Sequence, residues 1–222
     1  MTIEPIAYFK SPFSSKFGIP RQSGIVESLH GEIHFTDRYR RPEALKGLED
    51  FDRLWLIWEF SANAKGENSP WKATVRPPRL GGNANMGVFA TRSPFRPNPL
   101  GLSCVKIDRI DLENTVIHVL GADLMDGTPI YDIKPYITYA DSYPDARSGF
   151  VDRTEWHPLK VVIPEEIRKE LAEDDIDTLV GVLSQDPRPH YQKDPEKVYG
   201  MPFKSYDIHF VIEDDVLTVT GL

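Results

Sequence analysis

Arg76, Arg79, Arg92 and Arg96 lie in one stretch, RPPRLGGNANMGVFATRSPFRPNPLG, residues 76–101. Its Pro-Pro, Gly-Gly and Pro-Asn-Pro elements hold loop backbone in fixed shapes and leave amide groups open to a ligand. Guanidinium groups presented beside such amides suit phosphate or carboxylate. A second stretch, DLMDGTPIYDIKPY (123–136), sets Asp123, Asp126 and Asp132 around a tight turn. A third, SQDPRPHY (184–191), offers Gln185, Arg188 and Tyr191 on a proline-stiffened loop. Each also has a plain structural reading: rigid loops with surface arginines, turn chemistry, and a helix-terminating loop.

Other chemistries find less support. The histidines are His30, His34, His118, His157, His190 and His209. Only His30 and His34 are close, and on a strand that spacing separates them by about 13 Å, too far to share an ion. No metal site is expected. There is no G-x-S-x-G elbow and no G-x-x-x-x-G-K-[ST] loop. The glycines of LGGNANMG precede an expected strand and no helix follows, so a Rossmann-type cofactor site is not indicated. Cys104, the single cysteine, sits in the apolar run LGLSCVKI and reads as a small buried hydrophobe. One cysteine allows no internal disulfide and fits a reducing compartment, so a cytoplasmic protein is expected.

The formal net charge of the 222 residues is −8, which argues against non-specific coating of nucleic acid. The distribution is uneven, however. From Asn68 to Ile107 there is no Asp or Glu, while Lys72, Arg76, Arg79, Arg92, Arg96 and Lys106 all fall there. A basic segment inside an acidic chain marks a localised anion site, unless its arginines pair with acids from distant strands.

The elements that must position these groups are mostly strands. Residues 3–9, HGEIHF, LWLIWEF (54–60), MGVFAT, GLSCVKI, VIHVLGADL and IYDIKPYI all read as strands, with LWLIWEF buried on both faces. RPEALKGLEDF predicts a short helix with Pro42 near its start. The Asp-Gly of DLMDGTP is a turn signal. Many strands with little helix between them predict an antiparallel sheet closing into a barrel. Past DSYPDARSGF, a polar linker, IPEEIRKELAEDD and DIDTLVGVLSQ predict helices, and YDIHFVIEDDVLTVTGL predicts a closing hairpin. The expected fold class is mainly β: a β-barrel over residues 1–145 and a small α+β unit over 146–222. No apolar run approaches a membrane span, and MTIEPIAYFKSPF lacks the pattern of a secretory signal.

SPFSSKFGIPRQSG, GLEDFDRLWLIWEF, VRPPRLGGNANMGVFATRSPFRPNPLGLS, LMDGTPIYDIKPY and SQDPRPHY together resemble the TrmO family of tRNA methyltransferases, also called TsaA-like or YaeB-like. The resemblance runs through nearly the whole chain. It implies a single-sheeted barrel with a small C-terminal domain, working as a homodimer, with S-adenosylmethionine as methyl donor. It implies N6-methylation of N6-threonylcarbamoyladenosine, the modified base 3′ of the anticodon, in threonine tRNA. The cofactor contacts it implies are Gln22, Ser23 and Gly24, Ser61 and Ala62, Arg92, Leu102, and Asp123, Leu124, Met125 and Asp126. Ser61 and Ala62 depart from the His-Gln pair associated with relatives, so contacts there would use backbone atoms. The loop AKGENSP that follows also differs in length.

For such a transfer, holding donor and acceptor together can lower a barrier by about 7–11 kcal/mol. The acceptor nitrogen bears a carbamoyl group and must lose a proton, so a general base would help. Asp126, at the turn, is the candidate base, and Arg92 is placed with the catalytic groups. Arg76, Arg79, Arg96 and Lys134 are the candidate cations for the threonine carboxylate and loop phosphates, and Phe95 and Tyr136 the candidate stacking groups. The competing expectations are a non-catalytic barrel that binds RNA or an anion, and a methyltransferase acting on a small molecule.

Overall fold

The computed structural model describes residues 2–63, 71–82, 84–188, 194 and 196–222. Six strands close a barrel: β1 (Ala7–Lys10), β2 (His30–Phe35), β3 (Arg53–Glu59), β6 (Leu100–Asp111), β7 (Val116–Leu120) and β8 (Pro129–Pro135). Two short strands, β4 (Thr74–Val75) and β5 (Met86–Gly87), pair as a separate arm between β3 and β6. Around the barrel the order is β1-β2-β7-β6-β3-β8, and the pairings are antiparallel. Side chains alternate between lumen and outside. Phe9, Ile33, Leu54, Leu56, Val105, Ile117 and Ile130 fill the lumen as a packed core.

LWLIWEF does not bury both faces. β3 alternates strictly: Leu54, Leu56 and Trp58 are buried, while Trp55, Ile57 and Glu59 stay half-buried on the outer surface. The apolar outer face looked like burial in the sequence, but Trp55 lies against the Tyr136 ring at 6.0 Å and donates its Nε1 to Asp141 at 3.0 Å. The helix expected in RPEALKGLEDF is instead two single 3-10 turns, Pro42–Leu45 and Leu48–Asp50. Gly47 between them has φ +85°, a left-handed conformation that no helix continues through. MGVFAT is strand only at Met86–Gly87 and then turns at Val88–Ala90.

Strands β7 and β8 stand on opposite sides of the ring, so residues 121–128 cross the barrel end rather than form a hairpin. Ala122 and Leu124 point into the barrel core and seal that end. Asp123 and Met125, of the other parity, face away from it.

The C-terminal part is a four-stranded sheet in the order β10-β11-β12-β9, from β9 (Lys160–Val162), β10 (Tyr199–Phe203), β11 (Tyr206–Glu213) and β12 (Val216–Gly221). The expected closing hairpin is β11 and β12, turning at Asp214. β9 joins β12 in parallel. Among the described residues, α1 (Thr138–Asp141) lies at β3 through Asp141, while α2 (Glu165–Arg168) and α3 (Glu173–Leu183) accompany these strands. α3 packs Ile176, Leu179, Val182 and Leu183 into the core of this sheet. That core also takes Phe13, Val26 and Leu29 from the beginning of the chain. No described helix is long and apolar enough to cross a membrane.

Candidate functional site

A cavity of about 500 Å³ lies against the outside of the barrel wall. That size suits a cofactor-sized molecule. Strand β6 makes its floor. Gly101, Ser103 and Val105 face inward, so Leu100 and Leu102 face out, 37% and 55% exposed. The end of β3 and the 3-10 turn Ser61–Asn63 form one side, with Glu59, Phe60, Ser61, Ala62 and Asn63. The loop before Gln22 forms another, with Lys16, Arg21 and Gln22 itself. Thr91, Arg92 and Arg96 close the rim, and Asp123 and Met125 come from the segment that crosses the barrel end.

The charge at this site is set by four cations, Lys16, Arg21, Arg92 and Arg96, against two carboxylates, Glu59 and Asp123. Lys16 Nζ donates to Asn63 at 3.0 Å, tying two walls together. Arg92 donates Nη1 to the Gln22 side chain at 2.5 Å. Partial burial pulls the Arg21 guanidinium below its ordinary value, the Asp186 charge opposes this, and Arg79 adds to it. A surplus of positive charge in a partly desolvated setting favours anionic groups on a ligand, such as a carboxylate or a phosphate.

Asp123 is the group most changed by its surroundings. Burial pushes its carboxyl above the usual aspartate range, against the hydrogen bond from Ser103 and the nearby Arg92 charge. Ser103, fully buried, donates Oγ to Asp123 at 2.5 Å and accepts from Trp58 Nε1 at 2.9 Å. This gives a fixed chain from Trp58 through Ser103 to Asp123. The chain requires glycine at position 101: a Cβ there would stand 2.3 Å from Trp58 Cε2, so only Gly101 lets the indole approach β6. At the rim, Tyr131 donates to Glu59 at 2.5 Å, and burial, then the Glu59 hydrogen bond and charge, push its phenol up to about 12.

Of the residues expected from sequence, Gln22, Ser61, Ala62, Arg92, Leu102, Asp123, Met125 and Arg96 line this one cavity. Ser23 and Gly24 instead clamp its wall. Ser23 Oγ accepts from the Cys104 amide at 3.2 Å, and the Gly24 amide donates to Gly121 at 2.8 Å. Leu124 is buried in the barrel. Asp126 turns to a different cleft of about 520 Å³, shared with Lys10, Asp175 and Lys204. Its carboxylate accepts from the Ser11 amide at 3.1 Å and lies 3.7 Å from Lys10. This placement does not suit it as the base, because the turn at Gly127 reverses the chain and carries its side chain off the cavity wall.

Lys134 and Tyr136 are also elsewhere. Lys134 pairs with Asp132 at 2.9 Å, opposite Trp55, and Tyr136 follows Arg53 at the far end of β3. Along that strand Lys134, opposite Trp55, is about 10 Å and Tyr136, beside Arg53, about 17 Å from the Trp58 end. Arg76 and Arg79 are on the β4–β5 arm outside the cavity, Arg76 donating Nε to Asn85 at 3.4 Å. The loop AKGENSP and Tyr191 lie outside the described residues. Burial pushes the Cys104 thiol up, against the opposing Arg53 charge, which makes it a poor nucleophile.

Trp58, Gly101, Ser103, Lys16, Arg21 and Glu59 are not among the residues expected from the sequence, yet they build the cavity and the chain of hydrogen bonds behind it. Trp58 was legible in part, since a buried indole N–H must find an acceptor. Ser103 carries no local signal, because its role depends on Asp123 arriving from across the barrel.

A closed barrel with a cation-rimmed, apolar-floored cavity on its outer wall defines a small-ligand-binding β-barrel whose site is outside the lumen. Within that class the chain belongs to the TrmO family: residues 8–142 match the tRNA-methyltransferase O N-terminal domain, and 157–222 the TrmO C-terminal domain. It is 42% identical to the tRNA (adenine(37)-N6)-methyltransferase of Escherichia coli K12, across 99% of this chain and 96% of that one. Another protein of that name, from Eikenella corrodens, is 46% identical over 78% of this chain and 97% of its own. A putative S-adenosylmethionine-dependent methyltransferase RcsF from Pseudomonas aeruginosa is 38% identical, covering 94% and 91%. The crystal structure of TrmO from Pseudomonas aeruginosa superposes with a TM-score of 0.79 at 30% identity, covering 99% of this chain and 96% of that one.

Proposed function

We propose that the chain is an S-adenosylmethionine-dependent tRNA methyltransferase that methylates N6 of N6-threonylcarbamoyladenosine at position 37 of threonine tRNA. The observation that carries this reading is the meeting, in one cavity, of an exposed leucine floor, an arginine rim and a desolvated carboxylate. The residues fit the donor. Leu100, Leu102, Phe60 and Met125 offer apolar surface for an adenine ring. Arg92, held by Gln22, offers a charged partner for an amino-acid carboxylate. When bound, S-adenosylmethionine supplies an electrophilic methyl group on a positively charged sulfur.

Asp123 is the group we assign to the proton on N6. Its raised affinity for protons moves it toward the working pH of a general base. Ser103 fixes the orientation of the carboxylate, and Trp58 fixes Ser103. Arg21 and Arg96, at the rim, are suited to the threonine carboxylate and to loop phosphates. The working unit on this reading is a homodimer in the cytoplasm, which the family resemblance and the single cysteine support.

The test is transfer of labelled methyl from S-adenosylmethionine to threonine tRNA with and without the threonylcarbamoyl group. Label is expected only in the modified base. Donor binding without transfer would make the chain a binding module. Equal labelling of unmodified adenosine would overturn the finer substrate assignment.

A further inference from the structure

We propose that Trp71 and Phe89 form a stacking platform for a nucleobase neighbouring the one that is methylated, an inference that rests on the function proposed above. The two rings come from separate turns of sequence and meet because the arm pairs Thr74 with Gly87. The Val88 amide donates to Ala73 at 2.9 Å and completes that junction. Val88 is buried, so the adjacent Phe89 is turned outward. The ring centroids are 6.1 Å apart and inclined by 32°. Both are open to solvent, Phe89 at 71% and Trp71 at 48%. Large flat rings held outward together are costly surface unless something covers them.

Arg96 connects this pair to the cavity. Its guanidinium lies 5.6 Å from the Phe89 ring centroid. Nη1 donates to the Val88 carbonyl at 3.1 Å and the Thr91 carbonyl at 2.8 Å, so the group is fixed rather than free to swing. The same Arg96 lines the cavity. Platform and cavity therefore share a wall, and a ligand with linked aromatic units could occupy both.

Charge selects the occupant. No carboxylate occurs between residues 68 and 107, and Arg76 and Arg79 belong to the same arm. Aromatic rings beside guanidinium groups that form no ion pair among the described residues match a single-stranded nucleic acid, whose bases stack while its phosphates meet the cations. A second copy of the chain fits less well, since a two-fold contact through this patch would set arginine against arginine.

The experiment uses a fluorescein-labelled anticodon stem-loop of threonine tRNA carrying the modified adenosine. Its binding to the full chain is followed by anisotropy, with S-adenosylmethionine binding measured separately by calorimetry. Trp71→Ala and Phe89→Ala should each weaken RNA binding by roughly 5- to 140-fold, the stacking contribution of one base. Donor affinity should stay at the parent value, and Trp71→Phe and Phe89→Tyr should restore RNA binding. An abasic residue placed in turn on each side of position 37 should, at one of the two positions, weaken the parent but not Phe89→Ala. Alanine variants that bind the loop as the parent does would overturn the platform while leaving the methyltransferase reading intact. Weakening that appears only with a fall in molar mass by light scattering would overturn it in favour of a contact between copies. A parent that does not bind the loop would overturn both.

Discussion

Replacing Gly101 with alanine should damage stability and methyl transfer together, although the added group is a single methyl. The new Cβ would stand 2.3 Å from Trp58 Cε2 and 2.4 Å from Cζ2. Carbon atoms in contact prefer about 3.5–4.0 Å, so the indole must move by roughly 1 Å or more. It has little room: Trp58 is buried, and the Phe60 ring is 4.4 Å away. Overpacking of this kind costs about 1–3 kcal/mol. Moving the indole also strains or breaks its hydrogen bond to Ser103, worth about 0.5–1.5 kcal/mol. The sum, about 1.5–4.5 kcal/mol, corresponds to a fall in Tm of roughly 3–18 °C for a chain of this length. The measurement is thermal unfolding of Gly101→Ala, Trp58→Phe and the double variant. A smaller ring at position 58 relieves the clash, so the double variant should be more stable than the summed single effects by about 0.5–3 kcal/mol. A Gly101→Ala protein that melts within about 1 °C of the parent, or strictly additive effects, would refute the packing argument.

Asp123→Asn keeps an acceptor for Ser103 but removes the base, so methyl transfer should fall by about 100- to 10,000-fold in single-turnover assays. The same change has a pH signature in stability. Burial raises the folded carboxyl above its unfolded value, so the folded state holds more protons between those two pH values, and the parent loses stability as pH climbs through that window. The Tm of Asp123→Asn relative to the parent should therefore rise from acid toward neutral pH and then level off. Glu59→Gln removes the charge beside Tyr131 and should lower that phenol from about 12; the absorbance titration of each protein minus its Tyr131→Phe counterpart reads the shift. Arg92→Lys loses the planar fork that Gln22 holds and should raise KM for the methyl donor more than it lowers kcat.

The barrel was legible because its strands are short, apolar and separated by Pro, Gly and Asp-Gly signals, and the closing hairpin because Glu213–Asp215 interrupts two alternating runs. Many of the residues that share the cavity were legible through the family motifs, which group them without saying how they point. Direction was the hidden quantity. Asp123 and Asp126 are three residues apart in one motif, yet they serve two different clefts, because the chain alternates across the barrel end and then turns at Gly127. Lys134 and Tyr136, expected as substrate contacts, lie away from the cavity for a related reason: β8 runs away from it along β3. The helix expected at RPEALKGLEDF gave way to Gly47, whose left-handed backbone outweighed the leucine spacing. The Gly47 break is a local effect of one residue, whereas the placements of Asp126, Lys134 and Tyr136 depend on which strands become neighbours.

The loop that supplies Lys16, Arg21 and Gln22 to the cavity is anchored at its back, where Phe13, Phe17 and Ile19 pack into the sheet made by the end of the chain. Synthesis from the N-terminus therefore delivers these three polar groups long before the surface that steadies them. A competent pocket on this packing depends on a sheet whose strands lie far along the chain from the groups they steady. Removing β12 should for the same reason erode ligand affinity at a place it never touches.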